Sequence, residues 1–104
     1  MLPAVGLATF YNPGVFQQVL ATRGLPADAC TSQGHVGCVA MLYETDQGRV
    51  VCVNGYGPLL VADSASSRHR AGLIARGWVI DIDRETWLEL GFLDTPTIVI
   101  VTEC

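Results

Sequence analysis

GWVIDIDRETWLELG (residues 77–91) is the stretch on which the fold turns, because an apolar run there gives way to a helical pattern. WVIDI (78–82) is rich in β-branched and aromatic residues and reads as a strand. Asp83 follows where an N-cap belongs, its carboxylate able to accept from the backbone N–H groups of residues 85 and 86, an arrangement worth about 1 kcal/mol. Ile82 and Trp87 take the two positions of a hydrophobic staple, and Gly91 supplies the stop. Asp83 thus has a sufficient structural duty. Asp81 has none: it lies inside the strand, on the face expected to carry Val79 and Asp83. A carboxylate at a strand end is either solvated on the rim or buried with its pKa raised. Asp81 is therefore the leading candidate for chemistry.

Outward from this stretch the chain reads as short strands with little helix. VGLATFY (5–11) is a strand by its loose alternation. NPGVFQQVLATRG (12–24) is a helix, with Asn12 as cap, Pro13 in the first turn, Val15, Phe16, Val19 and Leu20 on one face, and Gly24 as a left-handed stop. Residues 25–35 form a polar loop. VGCVAMLYE (36–44) and RVVCVNG (49–55) flank the turn TDQG and are expected to pair as a hairpin. NGYG is a further turn, leading into the strand PLLVAD (58–63), and a helical turn is expected through Leu73 and Ile74. TIVIVTE (97–103) is so apolar that it must be covered on both faces or belong to a closed sheet. The expectation is one mostly-β domain over residues 1–104: a small six-stranded barrel with two or three short helices.

Composition narrows the function classes. At 104 residues, half of them hydrophobic, the chain is long enough for a single core. The net charge is −4 and all six basic residues are arginine, so the chain lacks the basic footprint of a nucleic-acid or anionic-membrane binder. No apolar run approaches the ~20 residues of a membrane span. MLPAVGLATF (1–10) lacks a basic region and a small-residue cleavage site, which points to a cytosolic protein or to one whose leader has been removed.

Four cysteines, Cys30, Cys38, Cys52 and Cys104, suit two disulfides and admit three pairings. That favours an oxidising, extracytoplasmic setting, with reduced thiols in the cytosol as the competing expectation. The absence of C-x-x-C counts against zinc-ribbon and thioredoxin readings, although His35 and Cys38 form an H-x-x-C pair with Cys30 nearby. No metal or cofactor is expected: NGYG lacks the strand–loop–helix context of a phosphate cradle. Ser64, Ser66 and Ser67 lack the context of a nucleophile elbow. Tyr11, Tyr56 and Trp78 are candidates for stacking on sugars, with core packing as the alternative. His69, between two arginines, is either plain surface or an acid–base partner of Asp63.

The order of elements resembles the double-psi β-barrel domains of the rare lipoprotein A, expansin and barwin group, over nearly the whole chain. ATFYNPG (8–14) is similar to their opening strand, and VGCVAML (36–42) to a Leu-Gly-x-x-Val-x-Val strand, with Gly37 as the matching glycine. VVCVNGYGPLLVAD (50–63) falls in their central strands, with Asp63 near an aspartate that ends one of them. WVIDIDRETWLELG (78–91) is the closest match and places Asp81 on the family's aspartate and Asp83 on its capping serine. PTIVIVTE (96–103) matches the final strand. The chain departs from the pattern at VADSASSRHR (61–70), where rare lipoprotein A has Asn-Asp-Arg-Gly-Pro, and at Val79, where expansins have histidine.

The resemblance implies a grooved barrel acting on cell-wall glycan, either as a lytic transglycosylase on peptidoglycan or by expansin-like loosening without net hydrolysis. Asp81 would then be the general acid that protonates a glycosidic oxygen, with Asp63 as a second carboxylate. The competing expectation is a non-catalytic glycan- or protein-binding module, or a self-associating structural subunit, on the same barrel.

Overall fold

Six strands close into a mixed barrel in the order β1-β5-β2-β4-β3-β6. The structure is a computed structural model that describes residues 2–93 and 95–104. The strands are β1 (Ala4–Phe10), β2 (Gly37–Met41), β3 (Val50–Val53), β4 (Tyr56–Ser64), β5 (Trp78–Ile82) and β6 (Thr97–Glu103). Three short helices lie outside them: α1 (Val15–Thr22), α2 (Ser67–Ala75) and α3 (Arg84–Glu89). Two ladders are parallel, β1 with β5 and β2 with β4; the remaining four are antiparallel.

The barrel interior is filled by Ala8, Val39, Met41, Val51, Val53, Leu59, Val61, Ile80, Ile82, Val99 and Val101, with Trp87 of α3 as a plug. A second apolar cluster forms outside the barrel, where Phe16 and Leu20 of α1 cover Cys38, Ala40 and Ala62. β2 is consequently buried along its whole length, inside by the barrel and outside by the helix. β6 lies in the closed sheet with Val99 and Val101 inward, but its outer face stays open, and Ile98 and Ile100 are exposed.

Local signals hold where expected. β5 spans WVIDI, and the Asp83 side chain accepts from the Thr86 backbone N–H at 2.8 Å. Asp83 does more than cap: its Oδ2 also accepts from the Cys38 N–H at 2.7 Å, pinning α3 to β2. Gly37 faces this network, and a Cβ there would run into Thr86 Oγ1 and Asp83 Oδ2. Gly24 has φ +69°, and the Leu25 and Gly24 N–H groups bond to the Leu20 and Ala21 carbonyls, a Schellman-type end for α1. Asn12 does not cap this helix; Gly14 occupies the N-cap position.

The expected hairpin of residues 36–44 with 49–55 is not formed. β2 pairs with β4 and β5, whereas β3 pairs with β4 and β6. TDQG reverses the chain through a 3₁₀ turn at Glu44–Asp46, without bringing its flanks into one ladder. The true hairpin is β3–β4, turned by Asn54 and Gly55 at φ +49° and +82°, the left-handed pair a two-residue turn requires.

Each parallel ladder carries one extra residue. In β1–β5 the register passes from Leu7↔Trp78 to Ala8↔Ile80, stepping over Val79. In β2–β4 it passes from Val39↔Val61 to Ala40↔Asp63, stepping over Ala62. Bulges of this kind re-aim the side chains beside them. Val79 packs on the interior core, so it does not share the outward face of Asp81 as strict alternation predicts. Trp78 instead joins Asp81 on the outside.

Candidate active site

Beyond the two bulges, four side chains fall in one outward row across four strands. Thr9 of β1 stands beside Asp81 of β5, Asp81 beside Ala40 of β2, and Ala40 beside Asp63 of β4. The two aspartates are thus separated by a single strand carrying only a methyl group. Three of the four, Thr9, Ala40 and Asp81, floor a cleft of about 570 Å³ that Leu7, Tyr11 and Trp78 also line, with α2 as its far wall.

Asp81 is held by one side chain. Thr9 Oγ1 lies 3.1 Å from Asp81 Oδ1, and Trp78 Nε1 donates to the same Thr9 oxygen at 2.8 Å. An indole N–H can only donate, so Thr9 accepts from Trp78 and its own hydroxyl hydrogen is left to point at Asp81. Burial pushes the Asp81 carboxyl up to about 7, and the hydrogen bonds from Thr9 and the Ile82 backbone only partly reverse this. The charge of Asp63 adds to the rise. Among the described residues no arginine or histidine forms an ion pair with Asp81.

Asp63 has the opposite surroundings. Its Oδ1 pairs with Arg23 Nη2 at 2.7 Å and its Oδ2 accepts from the Tyr11 hydroxyl at 3.0 Å. Arg23 is itself steadied by Gln47. Tyr11 stacks on Phe16 of α1 with ring centroids 4.3 Å apart, and burial with the Asp63 charge raises its pKa, so the phenol stays a donor. One carboxyl is therefore free to carry a proton near neutrality, while its neighbour is tied to a cation. Carboxyls with surroundings this different are the usual basis for giving two acids different roles.

Of the residues singled out in the sequence, Asp81, Tyr11, Trp78 and His69 line the same cleft. Asp63 borders an adjoining hollow with Arg23 and reaches the cleft through Tyr11. Tyr56 lies elsewhere, packed against the barrel interior. Cys30–Cys38 and Cys52–Cys104 are disulfide-bonded, so the thiols of the His35/Cys38 pair are not available to zinc. Among the described residues no cluster of His, Cys, Asp and Glu side chains is arranged to hold a metal ion. In the same residues no helix is long and apolar enough to cross a membrane.

Thr9, Ala40, Arg23 and Arg76 are the site residues that sequence reading misses. Thr9 was within reach, since Leu7, Thr9 and Tyr11 alternate onto one face of β1. Arg23 left no signal, because its partner lies 40 positions away. No protein-family model matches the chain, and neither does any curated protein or solved structure.

Proposed function

We propose that this protein is a double-psi β-barrel of the rare lipoprotein A and expansin type, acting outside the cytoplasm on cell-wall glycan by non-hydrolytic cleavage. The observation that carries this is Asp81: a carboxyl in an open cleft, its pKa raised to about 7 by burial, bonded to the Thr9 hydroxyl and, among the described residues, in no ion pair. Two parallel ladders within a closed six-stranded barrel are compatible with the double-psi arrangement. Two disulfides suit an oxidising compartment.

In this reading protonated Asp81 gives its proton to the glycosidic oxygen as the bond to the anomeric carbon breaks. A hydroxyl of the same sugar then attacks that carbon, and its proton returns to the Asp81 carboxylate. One C–O bond is lost and one gained, no water is consumed, and the acid is regenerated. Asp63, held by Arg23 and Tyr11, supplies negative field to the developing cationic charge and does not act as a nucleophile. Half-buried Tyr11 offers ring surface to the sugar, and Trp78, itself buried, backs the cleft wall.

The test is incubation with purified peptidoglycan sacculi across a pH series centred on neutrality, with mass spectrometry of the released fragments. Anhydro-sugar ends that vanish in Asp81→Asn are the expected result. Reducing ends in their place would indicate hydrolysis and overturn the mechanism. A second reading, a glycan-binding module without turnover, is favoured by the closed Arg23–Asp63 pair, which ties the second carboxylate to a cation. It requires retention on sacculi with no product at any pH.

A further inference from the structure

The far wall of the cleft differs in charge from the rest of the molecule. Residues 64–80 contain Arg68, Arg70 and Arg76 together with His69, and no aspartate or glutamate, in a chain whose net charge is −4. Within this segment, α2 buries none of its own residues and packs against β5. His69, Leu73 and Arg76 all line the cleft, at positions i, i+4 and i+7, which is one stripe of an α-helix. Arg70, by contrast, is taken up by Glu44 and the Leu42 carbonyl. Arg76 uses only Nε, towards the Gly72 carbonyl, and among the described residues neither Arg76 nor His69 pairs with a carboxylate. Opposite them the row offers Asp81, which among the described residues forms no ion pair. A guanidinium fork and an imidazole flanking a leucine, with Asp81 bonded to Thr9 and Asp63 paired with Arg23, form a receptor for a carboxylate carried on an otherwise apolar or neutral ligand.

We infer that the His69–Leu73–Arg76 stripe is a carboxylate subsite, so that the cleft takes an acidic glycan in preference to a neutral one of the same backbone. This deepens the glycan-acting reading and rests on it. The carboxylate can belong to the sugar itself or to a peptide attached to it; the recognising chemistry is the same.

The experiment measures binding by calorimetry in the Asp81→Asn background, so that no turnover intervenes. Three ligands are compared: neutral chitin oligosaccharides, peptide-free peptidoglycan strands with carboxylates on the sugars, and strands that still carry peptides. At least one acidic ligand is expected to bind about tenfold more tightly than chitin oligosaccharides, about 1.4 kcal/mol. Preference for the peptide-free strands assigns the carboxylate to the sugar, and preference for the peptide-bearing strands assigns it to the peptide. Arg76→Gln should remove the preference, whereas Arg68→Gln, an equal charge change outside the cleft, should keep it. Both arginines are exposed, so neither change threatens the fold. Chitin oligosaccharides binding as tightly as the acidic strands would overturn the subsite and leave the glycan reading standing. Loss of preference in Arg68→Gln equal to that in Arg76→Gln would reduce the effect to diffuse attraction and also overturn it. Failure of every glycan to bind would overturn the proposed function, and the subsite with it.

Discussion

Thr9 and Asp81 are register partners on the parallel β1–β5 ladder and are joined by a 3.1 Å hydrogen bond between their side chains. The link is fixed from behind by the Trp78 indole, so the hydroxyl has one direction left in which to donate. This relationship makes the titration of Asp81 adjustable from two sides. Thr9→Val removes a donor to the ionised form and should move the Asp81 pKa above about 7. Asp63→Asn removes a like charge and should move it below. Carboxyl carbon chemical shifts followed against pH read both, and movement in one common direction would contradict the account. Thr9→Val also leaves a buried indole N–H without its partner, which should lower stability by about 1–3 kcal/mol.

Asp81 should make the fold less stable as pH rises. Its folded pKa of about 7 lies above its ordinary 3.8, so between those values the folded protein holds a proton that the unfolded chain has released. Stability therefore falls through that window and levels off above it, by an amount on the order of a few kcal/mol. Asparagine imitates the neutral acid and keeps an acceptor for Thr9. Asp81→Asn is expected to melt higher than the wild type on the alkaline side of neutrality, and the two curves should converge below pH 3.8. Parallel melting curves across the whole range would show that the carboxyl is not buried as described.

Gly37→Ala should be costly although glycine there has no special backbone angle. The new methyl would enter the Asp83 cap, within 2.7 Å of Oδ2, and also press on Thr86. Loss of the cap together with overpacking should cost roughly 2 kcal/mol or more. Denaturant midpoints provide the measure, with Gly72→Ala, whose Cβ meets nothing, as the comparison.

The two disulfides should contribute unequally. Cys52 and Cys104 are 52 positions apart, Cys30 and Cys38 only 8. On the loop-entropy scale this corresponds to about 4 kcal/mol for the longer loop against about 2.5 for the shorter. Paired Cys→Ala variants should therefore differ in thermal midpoint, the Cys52/Cys104 pair melting lower. Full reduction of the wild type should add ~4 Da, two hydrogens for each opened bridge.

What was legible in the sequence was what neighbours in the chain decide. The strand WVIDI, the Asp83 cap and the Gly91 stop depend on contacts within a few residues, and all three stand. The expected hairpin failed because TDQG has local turn chemistry, while the partners of β2 are set by distant strands that flank it on both sides. The face of Val79 was misjudged for a related reason: the bulge exists only in the pairing with β1, where Gly6 leaves room for the Val79 side chain. Asp81 was visible as an acid without a structural duty, but its raised pKa depends on burial in a cleft built from four strands and a helix. Arg23, which occupies Asp63, is joined to it only by the fold.

Closure of the ring gives every strand a neighbour on each side, from β1 round to β6 and back. No strand is therefore left as a free outer edge of the sheet, the place where an extended peptide would add itself as a further strand. Whatever this domain recognises, it must grip from the outer faces with side chains. That suits ligands that have no backbone amide ladder of their own to offer.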